Sequence, residues 1–125
     1  METKKKAEVE YTLETFAEAE YRCRQLHHKY QAAADELKII ETHEKDILAD
    51  IKIKIATNEP DVKWSETKLE THARASKEWK QYRLGQEEAI RNAGAAKAKY
   101  YSAVRYYECV QSGLAYRRTE LSRLS

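Results

Sequence analysis

The chain has 125 residues, enough for one domain and too few for a catalytic domain joined to a regulatory one. Three glycines and one proline exclude a turn-rich sandwich or barrel, whereas nine tyrosines, 17 alanines and 35% charged residues are the composition of long helices with thin apolar seams. The net charge of +2 hides an asymmetry: residues 91–125 carry seven basic and two acidic side chains, which makes this stretch the first place to look for an anionic partner.

Met1 opens onto Glu2-Thr3-Lys4-Lys5-Lys6 with no apolar stretch behind it, so no signal peptide is expected. No apolar run approaches the roughly 20 residues that span a bilayer, and no membrane association is expected. Cys23 and Cys109 have no ligand spacing and fit a reduced, cytoplasmic setting. From Val9 the apolar residues step at helical intervals: Leu13, Phe16, Cys23, Leu26, Tyr30, Ala33, Leu37, Ile40, Ile47 and Ile51.

Asp50-Ile51-Lys52-Ile53-Lys54-Ile55-Ala56 then alternates isoleucine with lysine, a period of two in a residue that favours strands. Two readings stand: a short extended segment near 50–56, or a helix that continues with two lysines beside its seam. Extended, Lys52 and Lys54 would face one side about 7 Å apart, near the spacing of phosphates along a strand. Helical, they would diverge by about 200°.

The strong breaker is Thr57-Asn58-Glu59-Pro60-Asp61, where the pre-proline restriction ends one arm and Pro60-Asp61 can start another. Beyond it, Ala75, Trp79, Tyr82, Ala89, Ala93, Ala96, Tyr100, Ala103, Tyr107, Val110, Leu114, Leu121 and Leu124 keep a 3–4 alternation lost only at Gln86 and Arg117. Gly85, Gly94 and Gly113 interrupt this arm, as close helix–helix approach, a kink or a hinge would require. The predicted fold is all-α: one domain of long helices packed as an antiparallel hairpin or bundle with coiled-coil-like seams. Its first arm covers about 7–56, its turn 57–61 and its second arm about 62–124. An alanine-rich seam buries little area within one chain, so a homo-oligomer is expected, assembled through Tyr100, Tyr107, Val110, Leu114 and Leu121.

Catalysis is not expected. There is no glycine-rich phosphate loop, nucleophile elbow or metal-binding spacing, and adjacent carboxylates such as Glu87-Glu88 point in different directions. Glu20, Cys23 and His27 resemble half a metal site, but Cys23 belongs to the apolar register, so neither metal nor cofactor is assigned. His72 falls on the extrapolated seam as a core-edge histidine, and no small-molecule substrate is indicated. The stronger signal is basic residues interleaved with aromatics. Arg91 and Arg105 fall on the outward face of the second arm, Lys97 and Lys99 flank its seam, and Tyr101 and Tyr106 are off the seam. Cations that neutralise phosphates beside rings on which bases stack suit single-stranded nucleic acid.

In this layout Ile51-Lys52-Ile53-Lys54-Ile55-Ala56 resembles the Leu-Lys-Ala-Arg-x-Asp DNA-binding motif of the UvsY-type recombination mediators of bacteriophages. Lys52 and Lys54 stand where the motif has lysine and arginine; the second lysine lacks the bidentate fork, and Ala56 replaces the acidic residue. The surrounding order is also similar: a first helix rich in tyrosine and alanine, the motif, a polar turn, Trp64 and Trp79, and a long last helix with Tyr101, Tyr107 and Ser112. The resemblance implies a small, non-catalytic, mainly helical oligomer of the host cytoplasm. Its partners would be single-stranded DNA, single-strand-binding protein and the RecA-like recombinase it helps to load, with Lys52 and Lys54 on phosphates. The competing expectation is a coiled-coil adaptor or inhibitor that binds a partner protein.

Overall fold

The computed structural model describes residues 12–124, which form four helices: α1 (Leu13–Thr42), α2 (Glu44–Asn58), α3 (Glu66–Ala75) and α4 (Lys77–Leu124). The fold is all-α, and the long α1 and α4 run antiparallel. None of the described helices is long and apolar enough to cross a membrane. Val9 and the predicted start of the first arm at residue 7 lie outside the described residues.

The chain divides into two compact units. The first combines the described residues up to Gln31 with those from Ala95 onward. Its seam is made of small residues and rings. Ala19, Ala103 and Val110 are buried, and the Phe16 and Tyr107 rings lie 5.2 Å apart. Two turns away along α4, Tyr100 meets His27 at 5.0 Å and Tyr30 at 6.0 Å. Alanine on one helix leaves the hole that a tyrosine on the other fills, so this thin seam closes within the chain.

The second unit covers Ala32–Gly94. Its core is Ile51, Ala73 and Trp79, flanked by Ile47, Leu48, Ile55 and Tyr82. The segment at 50–56 is therefore helical, and the extended reading is overturned. Ile47, Ile51 and Ile55 are spaced by four, one helical stripe against Trp79, and this packing outweighs the strand preference of isoleucine. Ile51 is 3% exposed and Ile53, half a turn round, is 64% exposed.

Breaks divide both arms. α1 stops at Thr42, whose Oγ1 bonds back to the Lys38 carbonyl, and α2 begins after His43. The predicted turn at 57–61 is displaced: Thr57 and Asn58 still belong to α2, Glu59 caps it, and the irregular stretch runs to Ser65. There the Trp64 indole donates to the Glu59 carbonyl at 3.2 Å, and Ser65 Oγ accepts from the Lys68 amide at 3.1 Å to start α3. Ser76 ends α3 and caps α4, its Oγ accepting from the Trp79 amide at 3.2 Å. This break shifts the apolar phase, so Ala73 is buried, while Ala75 and His72 are exposed and His72 sits edge-on to Trp64. Gly85 and Gly94 continue α4 with open space where a Cβ would stand, so close approach accounts for neither.

The Tyr82 hydroxyl donates to the Ile40 carbonyl, near the end of α1. Burial, and then the charge of Glu44, push its phenol above the ordinary value; Arg83 opposes this and Glu41 adds to it. A raised value in the folded state favours the protonated, donating phenol. That contribution is fully present below about pH 10 and is lost as pH rises through the folded-state value. Replacing Tyr82 by phenylalanine should cost about 1 kcal/mol at neutral pH. It should also remove this share of the alkaline loss, read as urea stability of both proteins between pH 8 and 11.

Candidate nucleic-acid interface

Lys52 and Lys54 do not form one patch. In α2 their side chains leave the axis about 200° apart, and each is held by a carboxylate from a following helix. Lys52 Nζ is 2.7 Å from Glu66 Oε1 on α3, and Lys54 Nζ is 3.3 Å from Glu78 Oε2 on α4. The Lys52 side chain is only 19% exposed. These two residues align helices of the second unit, and the single extended-strand patch expected of them is replaced by two separate ion pairs on α2. Arg74 and Arg83 are likewise engaged, with Glu70 at 3.1 Å and Glu44 at 3.9 Å. Arg83 also donates to Gln86 Oε1 at 2.6 Å, which satisfies the polar residue buried in the seam. Arg91 belongs to this unit, exposed on α4 and without an ion-pair partner among the described residues.

The cations of the first unit's α4 segment stand differently. Lys97, Tyr101 and Arg105 follow at intervals of four, one exposed stripe that starts beside the buried seam at Lys97 and winds to the outward face at Arg105. Lys97 Nζ lies 5.7 Å from the centroid of the Tyr101 ring, an attraction that holds the ammonium beside the aromatic face. Tyr101 is 46% exposed, and its ring is 5.6 Å from Tyr100, which anchors it to the seam. Among the described residues no carboxylate pairs with Lys97, Lys99 or Arg105. Lys99 leaves the helix about 200° from Lys97, so the stripe excludes it. From residue 95 onward six basic residues face two acidic ones, Glu108 and Glu120. Glu120 accepts from the Tyr116 hydroxyl at 3.0 Å, and that bond pushes the phenol upward.

The residues expected to join subunits are mostly spent inside the chain. Val110 is fully buried, Tyr107 packs on Phe16, and Tyr100 packs on His27 and Tyr30. Val110 thus has no surface left for a second copy, whereas Tyr100 and Tyr107 stay half-buried. Leu114 is half-buried and, with Leu13, Arg117, Arg118 and Leu121, borders a shallow groove; Leu121 remains exposed.

No group of three or more histidine, cysteine, aspartate or glutamate residues able to hold a metal ion is present among the described residues. Cys23 and His27 face a hollow with His28, Arg24 and Tyr100, and burial pushes the Cys23 thiol upward. The Lys97–Tyr101–Arg105 arrangement offers phosphate neutralisation and a stacking face.

No family model, curated protein or solved structure matches this chain. The resemblance to the UvsY-type mediators thus rests on the layout and on a six-residue motif whose two lysines are ion-paired in α2.

Proposed function

We propose that this chain is a non-catalytic single-stranded-DNA-binding protein of the cytoplasm, a recombination mediator that assists loading of a RecA-like recombinase. The observation that carries the reading is the exposed Lys97–Tyr101–Arg105 stripe, whose cations have no carboxylate partner among the described residues. Ammonium and guanidinium groups one turn apart can each neutralise a phosphate, and the tyrosine between them offers a sequence-tolerant stacking face. Binding, not bond-making, is then the mechanism: a strand held along α4 is released from single-strand-binding protein into a form the recombinase captures. Homo-oligomerisation would repeat the stripe and raise avidity.

The mediator half is tested by adding the protein to a RecA-like recombinase on single-stranded DNA coated with single-strand-binding protein. DNA-dependent ATP hydrolysis should resume earlier with the protein than without it; an unchanged lag contradicts the reading. A second reading, an adaptor that binds a partner protein, is favoured by the large apolar side chains exposed in the second unit, Ile39, Ile53 and Leu84.

A further inference from the structure

Helix α2 borders two apolar grooves, one on each flank, and their charges are opposite. On one flank Leu48, Ile53 and Leu69 line a groove of about 480 Å³ edged by Lys45 and Lys52. Lys45 has no ion-pair partner among the described residues, and Glu66, also at this edge, is taken by Lys52. On the other flank Ile39, Ile47 and Tyr82 line a groove of about 530 Å³ edged by Asp46 and Asp50. Asp46 lies 3.9 Å from His43 Nδ1, a pairing that needs a protonated imidazole, and Asp50 has no ion-pair partner among the described residues. The helical repeat sets the two flanks about 150° apart around α2. Ile53 is 64% exposed and Ile39 59% exposed, so each groove presents an isoleucine to solvent, beside the uncompensated Lys45 in one and beside Asp46 and Asp50 in the other.

From this complementarity we infer that the chain self-associates head to tail, the Lys45/Ile53 groove of one copy against the Asp50/Ile39 groove of the next. Both grooves lie within the second unit, so one compact unit carries both halves of the contact. Such a heterologous contact leaves a free groove of each kind at the ends of any open assembly. It therefore extends beyond a dimer, to a ring where the rotation closes and to a filament where it does not. Self-repulsion argues against either groove meeting its own copy, since lysine would oppose lysine and aspartate would oppose aspartate. The inference rests on the homo-oligomerisation within the proposed function and gives it a surface, one separate from the Lys97–Tyr101–Arg105 stripe.

The test is light scattering of the full chain at about 100 µM, a concentration at which contacts of micromolar affinity saturate. The parent should exceed twice the 14.6 kDa chain mass. Ile53→Glu, which damages the basic groove, and Ile39→Asn, which damages the acidic one without creating a cation for the new glutamate, should each run as single chains with parental helicity. Mixed in equal amounts, they should form a dimer that grows no further, because each retains the groove the other needs. Lys45→Glu and Asp50→Asn, exposed substitutions whose altered grooves do not attract each other, repeat the design should an isoleucine variant fail to fold. A parent that stays at 14.6 kDa overturns the inference together with self-association itself, and gives both grooves to a partner protein. An assembling parent whose variants still assemble, or whose mixed variants stay single, overturns the grooves alone and leaves oligomerisation and DNA binding standing.

Discussion

Replacing Lys97 and Arg105 together by alanine is expected to weaken single-strand binding at least tenfold at moderate salt. The logarithmic salt dependence should fall by about 1.4, two phosphate contacts at about 0.7 each. Glutamate at both positions should abolish binding, because the stripe would then repel the backbone. Tyr101→Leu separates the other component: a lost stacked base costs about 1–3 kcal/mol with the salt slope unchanged. Lys52→Ala with Lys54→Ala should bind like the parent, since both ammonium groups already have carboxylates at 2.7 and 3.3 Å. All variants change exposed or ion-paired groups, and circular dichroism should report parental helicity. A parental salt slope in the Lys97/Arg105 variant, or a strong loss in the Lys52/Lys54 variant, would return the site to the motif on α2.

Trp79→Ala should be the most destabilising single truncation in the second unit. The ring fills a core whose other buried members are Ile51 and Ala73, and the Arg74 guanidinium lies 5.5 Å from its centroid. Emptying such a site costs about 3–5 kcal/mol, a large share of the 5–15 kcal/mol typical of a whole domain. Two neighbouring truncations test the helical phase directly. Ile51→Ala should cost about 2–5 kcal/mol, while Ile53→Ala should stay within about 0.5 kcal/mol, because Ile53 faces solvent. In an extended segment Ile51 and Ile53 would share one face and cost alike. Urea denaturation followed by circular dichroism reads all three, and equal effects at Ile51 and Ile53 would contradict the phase assigned to α2.

The seam of α4 was legible because its 3–4 spacing persists. From Trp79 to Leu114 each residue assigned to it is buried or half-buried, and Gln86, the polar interruption, stays in phase by pairing with Arg83. The phase failed where the chain breaks at Ser76, although Ser76-Lys77-Glu78, a capping residue ahead of a charged turn, carried that signal. The Ile/Lys alternation misleads for a general reason: alternate isoleucines include pairs spaced by four, so one string serves a strand or a helix. The neighbour, here Trp79, decides. Tyr100, Tyr107 and Val110 were assigned between subunits because alanine-rich seams bury little area; the first arm instead meets those tyrosines with Phe16, His27 and Tyr30. The spacing of four that joins Lys97, Tyr101 and Arg105 is present in the sequence, but only the structure shows that their cations have no carboxylate partner among the described residues. No spacing could show that Lys52 and Lys54 meet Glu66 and Glu78, residues 14 and 24 positions away.

The central claim is that α4 presents a single-strand-binding face. Its most direct test is a titration of the purified chain against a fluorescent oligothymidylate and a duplex of equal length, at several salt concentrations. Tighter binding of the single strand is expected, with an affinity that falls linearly in log salt and a loss confined to substitutions at Lys97, Tyr101 and Arg105. Equal binding to both forms, or none to either at low salt, would contradict the claim and leave the adaptor reading in its place.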